Sequence, residues 1–290
     1  MASIKEFNSR IKSLVNTRKI TKTMKMVAVS KLRKAYEAQA HAKFYAQNLT
    51  ALIARISESV ESAANPLLEV REAKGNALLL VFTSDNGLCG SFNHNVVNGT
   101  TDWIAENKNN HRKIDLSFCG KRGMSAFQKW NNTKDYYENV TARPKFTDAK
   151  RIGEDLCNLF LTKQYDEVFL VYNQFFNPLS QKLIIEKILP IDSHELMHNA
   201  DFRESAEYIF EPPVAPLLHF LIPHFIHFKI FFALLENSAG EHGARMTAMD
   251  SATKNASELI DRNILQRNRA RQAAITTELT EIVAGVEALK

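Results

Sequence analysis

The chain has 290 residues, of which 45% are hydrophobic and 24% charged, and its formal net charge is +5. This composition excludes a disordered or collagen-like chain and is sufficient for one or two domains with hydrophobic cores. The three cysteines form no CxxC pair, which disfavours a disulfide framework and a cysteine-based zinc site.

The first segment, residues 1–65, is predicted to be one long coiled-coil helix. Its apolar and alanine residues recur at heptad spacing, and between residues 16 and 31 the apolar row shifts to Ile20, Met24 and Val27. Residues 1–34 hold ten Lys or Arg against one acid. Such a helix has three interpretations: a solvated coiled-coil face, a helix that binds membrane or nucleic acid, or a site for an acidic protein partner.

The segment 75–195 is predicted to be an α/β domain. A continuous apolar run at 76–83 is typical of a strand buried on both faces. The further predicted elements are helices at 93–107, 123–130 and 147–162 and strands at 114–119, 133–140, 167–172 and 181–188. Because strands alternate with helices, we expect a Rossmann-like α/β sandwich.

Two turns at predicted strand ends, 84–91 and 119–123, invite comparison with phosphate-binding loops. Glycines before a helix can present backbone N–H groups to an anion. Neither turn matches GxGxxG or GxxxxGK[ST], and no histidine is assigned as a base to Cys89, so structural turns are favoured. An α/β nucleotide-sensing or enzymatic domain with helical dimerisation arms is the alternative function.

His194 and His198 are four residues apart and could face one metal ion on a helix. The surrounding segment offers no fixed third ligand, and no GxSxG elbow or comparable catalytic signature occurs in the chain. We therefore expect no metal site, no catalytic residues and no cofactor.

The last segment, 210–290, is predicted to be a second long helix that pairs with residues 1–65. Small residues recur every four positions from Gly240 to Ala256, which lets another helix approach closely. A coiled-coil seam follows at Ile275, Leu279, Ile282, Val286 and Leu289. The apolar stretch 214–235 contains histidines and prolines, so we expect it to be buried in protein, with a kink at Pro223.

Four segments in the right order resemble the gamma subunit of bacterial-type rotary proton-translocating ATP synthases. They are residues 16–31, 85–90, 244–249 and 270–283. The resemblance implies an antiparallel coiled coil of the terminal helices inside a ring of alternating alpha and beta subunits, with the α/β domain at its foot. It also implies a function: a central rotor shaft that couples proton flow to ATP synthesis or hydrolysis on the beta subunits, without a catalytic site of its own.

The resemblance further implies partners and a location. The partners are three alpha and three beta subunits of the catalytic ring, the epsilon subunit and the membrane rotor ring. One copy of the chain is expected per complex. No nucleic-acid partner is expected. The expected location is the cytoplasmic face of the cell membrane, as a peripheral protein.

Carried over position by position, the family's functional residues fall into two groups. Those implied to contact the catalytic ring are Met24, Lys25, Arg245, Arg271, Gln272, Thr276 and Glu278. Those implied to form an apolar tip in a bearing are Ile282, Val286 and Leu289. The chain departs from the family pattern at Asn86, Ser91 and Arg267, which leaves the local contacts there open.

Overall fold

The computed structural model describes residues 4–58, 65–71, 75–130, 132–192 and 214–287. The chain divides into two compact units. The first, called here the paired-helix unit, consists of Met1–Ala28 and Met246–Lys290, and the second, the sheet unit, is Val29–Arg245. The three segments expected from the sequence, 1–65, 75–195 and 210–290, instead keep each long helix whole. That division stays a prediction.

Two long helices contribute residues to both units. Helix α1 is Ile4–Glu58 and helix α5 is Val214–Glu287. In the paired-helix unit, Thr253 Oγ1 donates to Thr21 Oγ1 at 2.8 Å and Arg267 Nη1 donates to Asn8 Oδ1 at 3.4 Å. Later residues of α5 thus meet earlier residues of α1, which confirms the predicted antiparallel pair.

The seam of this pair contains both small and large residues, and it differs from the predicted row. Its buried side chains are Phe7, Thr21 and Ala28 on α1 and Met249, Ala256 and Ile260 on α5. Most of them are seven residues or a multiple of seven apart, as in a coiled coil. The predicted row through Ile20 and Val27 is wrong, because both side chains are exposed. The small residues Thr21, Ala28 and Ala256 let the two backbones approach closely, and larger apolar side chains fill the rest of the seam.

The sheet unit contains a five-stranded sheet in the order β3-β2-β1-β4-β5. Its strands are β1 Asn76–Phe82, β2 Lys113–Cys119, β3 Thr133–Tyr137, β4 Glu167–Asn177 and β5 Ser180–Leu189. The first four run parallel, and β5 pairs with β4 antiparallel. The connecting helices are α2 Phe92–Asn107, α3 Lys121–Ala126 and α4 Phe146–Leu161. The predicted α/β class is therefore confirmed.

Both faces of the sheet are covered. On one face, β1 residues such as Leu78 and Leu80 pack in a core shared with α1, α4 and α5. On the other face, Leu79 and Val81 pack in a second core with α2. Burial on both sides explains why β1 has a continuous apolar run rather than an alternating one.

The apolar start of α5 belongs to the first core. Leu218, Ile222, Ile226 and Ile230, each four residues from the next, are buried there. Helix α5 continues through Pro223. By length and composition alone, Pro216–Val286 could cross a membrane, with 44% of its most apolar stretch buried. The packing of this stretch against the sheet and α1 agrees with the prediction that it is buried in protein.

Candidate functional site

The first candidate place lies beyond the carboxyl ends of β1 and β4. In doubly wound sheets, ligands bind where the strand order reverses, which is between these two strands here. Helix α5 occupies this place: Asn237 Nδ2 donates to the Thr83 carbonyl at 3.2 Å, and Glu236 Oε2 accepts from Phe175 N at 2.6 Å. A Cβ added at Gly240 would lie 2.9 Å from the Phe92 ring. The chain's own helix therefore fills the place.

The turn 84–91 is closed by polar groups of the chain itself. Asp85 Oδ1 accepts from Lys121 N at the start of α3 at 3.1 Å, and Oδ2 accepts from Thr141 Oγ1 at 2.9 Å. Asn93 Nδ2 donates to Ser84 Oγ at 2.8 Å. A carboxylate at this helix start repels the phosphate that a nucleotide would bring there. The geometry supports a structural turn.

The cysteines are buried free thiols. Burial raises the pKa of Cys89 and of Cys119, and raises that of Cys157 to about 12. A thiol must lose its proton to act as a nucleophile or metal ligand. At neutral pH, these three groups are therefore protonated packing residues.

One cavity lies at the amino end of the sheet, away from the place where a doubly wound sheet binds its ligand. It measures about 470 Å³. Two pairs of its lining groups face one another, with Arg71 Nη1 at 3.8 Å from Asp166 and His111 Nδ1 at 3.5 Å from Glu167. The described residues include no cluster of three or more His, Cys, Asp or Glu that could hold a metal ion. His194 and His198 lie outside the described residues.

Arg245, one of the implied ring contacts, is bound within the sheet unit. Its Nη2 lies 2.6 Å from Glu241 Oε1 and donates to the carbonyls of Asn86 and Gly87 at 3.2 Å each. Only 12% of its side chain is exposed. Sequence reasoning missed this network, although Glu241 four residues before Arg245 was a signal of an ion pair along the helix. The contact of Arg245 with the ring stays a prediction.

The Arg245 network sets the ionisation of its neighbours. Burial lowers the pKa of His242 to about 4, and the charge of Arg245 adds to this. Burial raises the pKa of Glu241, against the opposing effect of Arg245. His242 is therefore neutral at pH 7, and its Nδ1 lies 3.3 Å from Arg245 Nη1.

Lys25 and Met24 lie in the paired-helix unit. Lys25 Nζ forms an ion pair with Asp250 Oδ1 at 2.6 Å, and Lys254 Nζ lies 3.0 Å from Asp250 Oδ2. The hydrogen bond from Lys25, followed by that from Lys254, lowers the pKa of Asp250. Met24 is half-buried. The Asp250 partner was missed because it is 225 residues away in sequence.

The end of α5 is exposed. Its polar residues Arg271, Gln272, Thr276 and Glu278, all implied ring contacts, face solvent. The implied tip residues Ile282 and Val286 are 63% and 57% exposed, and Leu289 lies outside the described residues. Ile275, Leu279 and Val283 are exposed as well. The predicted seam thus has no cover from the residues that the structure describes.

The three departures from the family pattern make contacts within the chain. The Asn86 carbonyl accepts from Ser84 Oγ at 2.6 Å and from Arg245. The Ser91 carbonyl accepts from Asn95 N at 2.8 Å in the first turn of α2. Arg267 Nη2 donates to Asn268 Oδ1 at 3.1 Å. These substitutions are accommodated locally.

Comparison with known proteins gives matches along the whole chain. A sequence model of the family described as ATP synthase matches residues 3–289. The ATP synthase gamma chain of Trichlorobacter lovleyi is 42% identical over 290 residues, covering 100% of both chains. The ATP synthase gamma chain of Geobacter metallireducens is also 42% identical, with the same coverage.

Solved structures give the same result. A chain of the Tetrahymena thermophila mitochondrial ATP synthase central stalk and c-ring is 27% identical with a TM-score of 0.61, covering 80% of this chain and 99% of that chain. A chain of the Euglena gracilis mitochondrial ATP synthase shares the fold, with 20% identity, a TM-score of 0.67 and coverage of 99% and 94%. The predicted role of central rotor shaft in ATP synthase is confirmed, and the chain belongs to the ATP synthase gamma chain family.

Proposed function

We propose that this chain acts by mechanical transmission alone and has no catalytic site of its own. ATP is then made or hydrolysed on the beta subunits of the surrounding ring. Two features support the proposal: α5 fills the ligand place of the sheet through Glu236 and Asn237, and Asp85 holds the start of α3. The same features argue against the alternative of a nucleotide-sensing or enzymatic α/β domain.

The main observation in support of a mechanical role is the row of exposed apolar side chains near the end of α5. Between Ile275 and Val286, five apolar side chains are 48% to 63% exposed. A row of exposed apolar residues marks a surface that a partner covers. Full burial of one such side chain contributes about 1.5–3 kcal/mol, so a ring that encloses the row would gain substantial binding energy. Ile282, Val286 and Leu289 are accordingly proposed as the apolar tip in its bearing.

The polar residues near this tip are proposed to contact the catalytic ring. Arg271, Gln272, Thr276 and Glu278 are exposed and free to meet another subunit's polar groups. Lys25 keeps 40% of its side chain exposed beside Asp250, and with Met24 it is proposed to face acidic lever loops of the beta subunits. Arg245, with 12% of its side chain exposed, is proposed to contact the ring as well.

Family membership supports the remaining parts of the proposal. One copy of the chain stands in a ring of three alpha and three beta subunits, and it also binds the epsilon subunit and the membrane rotor ring. The complex holds it at the cytoplasmic face of the cell membrane. Residues 1–65, 75–195 and 210–290 act as the first coiled-coil helix, the α/β domain and the second coiled-coil helix.

Titration calorimetry and turnover assays test the absence of a catalytic site. We expect the isolated chain to bind neither ATP nor ADP tightly and to hydrolyse no ATP. ATP turnover that disappears on substitution of one of the chain's own residues would contradict the proposal.

A second experiment tests the bearing. The double variant Ile282→Asp with Val286→Asp places charges on the exposed row. Because the row is exposed, we expect the isolated chain to unfold at an unchanged temperature. Because a bearing would have to bury these charges, we expect less of the variant to be recovered in complex with alpha and beta subunits. Glu281→Gln alters an exposed position of the same turn and is the control. Recovery of the double variant equal to that of the control would exclude the bearing.

A further inference from the structure

Glu236 is a carboxylate buried in the middle of α5, with 1% of the residue exposed. Its two oxygens accept from two neutral donors on different elements. Oε1 accepts from Gln39 Nε2 of α1 at 2.9 Å, and Oε2 accepts from the Phe175 backbone N of β4 at 2.6 Å. One side chain therefore holds both long helices and the sheet together.

The next residue, Asn237, joins the end of β1 to the same three elements. Asn237 is fully buried and its Nδ2 donates to the Thr83 carbonyl at the end of β1, at 3.2 Å. Among the described residues, further polar links between α5 and the α/β part include Lys229 with Glu186 at 3.0 Å and Arg245 with the turn 84–91. Glu236 lies between them along α5, and of these described links it is the one that also binds α1.

A buried carboxylate such as Glu236 is unfavourable for stability compared with an apolar residue. Burial of a charge with neutral partners costs free energy that an apolar residue of similar volume would avoid. What the carboxylate offers instead is direction: apolar surfaces resist separation but can slide, whereas two hydrogen bonds fix the register of the groups that they join. A rotor element that passes torque needs resistance to sliding.

We infer that Glu236, held by Gln39 and Phe175, is a positioning residue that locks both long helices to the sheet, so that torque on the α/β domain reaches the shaft without slip. The inference rests on the mechanical function proposed above.

The hydrogen-bonding capacity of each side chain predicts which substitutions break this lock. Glu236→Gln leaves one acceptor oxygen for two donors and turns an NH2 group toward one of them. Gln39→Glu combined with Glu236→Gln restores complementarity, because the new carboxylate on α1 accepts from the new amide on α5.

The test measures the stiffness of the rotor in the assembled enzyme. The catalytic ring is anchored, and a probe on Lys108→Cys, an exposed position at the end of α2, reports its angle. Thermal fluctuations of this angle in the resting complex grow as the joint softens. Tyr165→Phe is the matched control, since it removes a buried hydrogen bond to a carboxylate, Asp115 at 2.6 Å, that involves neither long helix.

We expect larger angular fluctuations for Glu236→Gln, parental values for Tyr165→Phe, and a return to parental values for the double variant. Equal fluctuations in Glu236→Gln and the parent, an equal rise in the control, or no return in the double variant would each overturn the inference. If Glu236→Gln alone does not assemble, the double variant decides: assembly with parental stiffness supports the lock, and failure to assemble rejects it. A parent that hydrolyses ATP without turning its probe would reject the mechanical function itself.

Discussion

Helix α5 has two apolar stretches with different surroundings. Near its start, Ile222, Ile226 and Ile230 are fully buried in the core of the sheet unit. Near its end, Ile282 and Val286 are more than half exposed. Both stretches are apolar in sequence, so apolar spacing alone does not distinguish a face that the chain buries from one that it leaves exposed. The buried stretch serves folding, and the exposed one is the surface proposed to contact the catalytic ring.

The largest expected effect comes from the same substitution, isoleucine to alanine, made once in each stretch. Ile226→Ala leaves a cavity in the core and is expected to lower the free energy of unfolding by about 2–5 kcal/mol. Ile282→Ala on the same helix removes an exposed side chain and should change it by less than about 0.5 kcal/mol. Urea unfolding of the isolated chain measures both. Similar losses in the two variants would show that the end of α5 is covered within the chain.

Two glycines allow a second comparison between a packed position and the exposed end of α5. Gly120 has a φ of 109°, and an added Cβ would lie 2.3 Å from the Thr83 carbonyl oxygen. Gly120→Ala is therefore expected to destabilise the chain by at least roughly 1–3 kcal/mol. Gly285 has nothing within 4 Å of an added Cβ, so Gly285→Ala should favour the helix by about 0.5–1 kcal/mol. Thermal unfolding of both variants would contradict the account if Gly120→Ala proved neutral.

A buried histidine gives a pH-dependent difference. Folding lowers the pKa of His242 from 6.5 to about 4, so the unfolded chain takes up a proton that the folded chain refuses. The stability due to neutral His242 is present above pH 6.5 and is lost as the pH falls toward 4, by about 1–3 kcal/mol. Unfolding measured across this range should show a shallower decline for His242→Gln. His94→Gln, at an exposed position of α2, is the control, and identical slopes for His242→Gln and the parent would refute the role of burial.

At Lys25 the main expected effect is on coupling, and the loss of its partly exposed ion pair with Asp250 should change folding stability by about 0–1 kcal/mol. Lys25→Glu should preserve assembly and lower the protons pumped per ATP hydrolysed, because the proposed attraction to acidic levers is reversed. Lys25→Asp with Asp250→Lys keeps an ion pair inside the paired-helix unit but moves the positive charge to α5. Hydrolysis and acidification are measured together in vesicles. A pumping ratio restored by the exchange would assign Lys25 to the internal ion pair with Asp250 instead of the ring.

The sequence was most informative where local pattern determines structure. The run at 76–83 predicted β1 because burial on both faces requires apolar residues at every position. The seam of the helix pair was not predictable in the same way. Thr21 and Ala28 are buried while Ile20 and Val27 are exposed, because the register depends on which residues the partner helix brings. A single helix does not contain that information.

The polar links were hidden for a related reason. Lys25 and Asp250, or Gln39 and Glu236, are about two hundred residues apart in sequence and become neighbours only when the helices pair. Glu236 directly follows the apolar run 230–235, which indicates burial but does not identify its partners. The ring contacts proposed for the exposed polar residues at the end of α5 come from the family resemblance, since no intrachain pattern marks them.

The most direct test of the central claim is to observe rotation of this chain within its enzyme. A probe attached at Lys108→Cys labels an exposed site, while the native Cys89, Cys119 and Cys157 are buried. With the catalytic ring anchored, the account predicts that addition of ATP turns the probe in one direction, in step with hydrolysis. Hydrolysis at the parental rate with a stationary probe would contradict it.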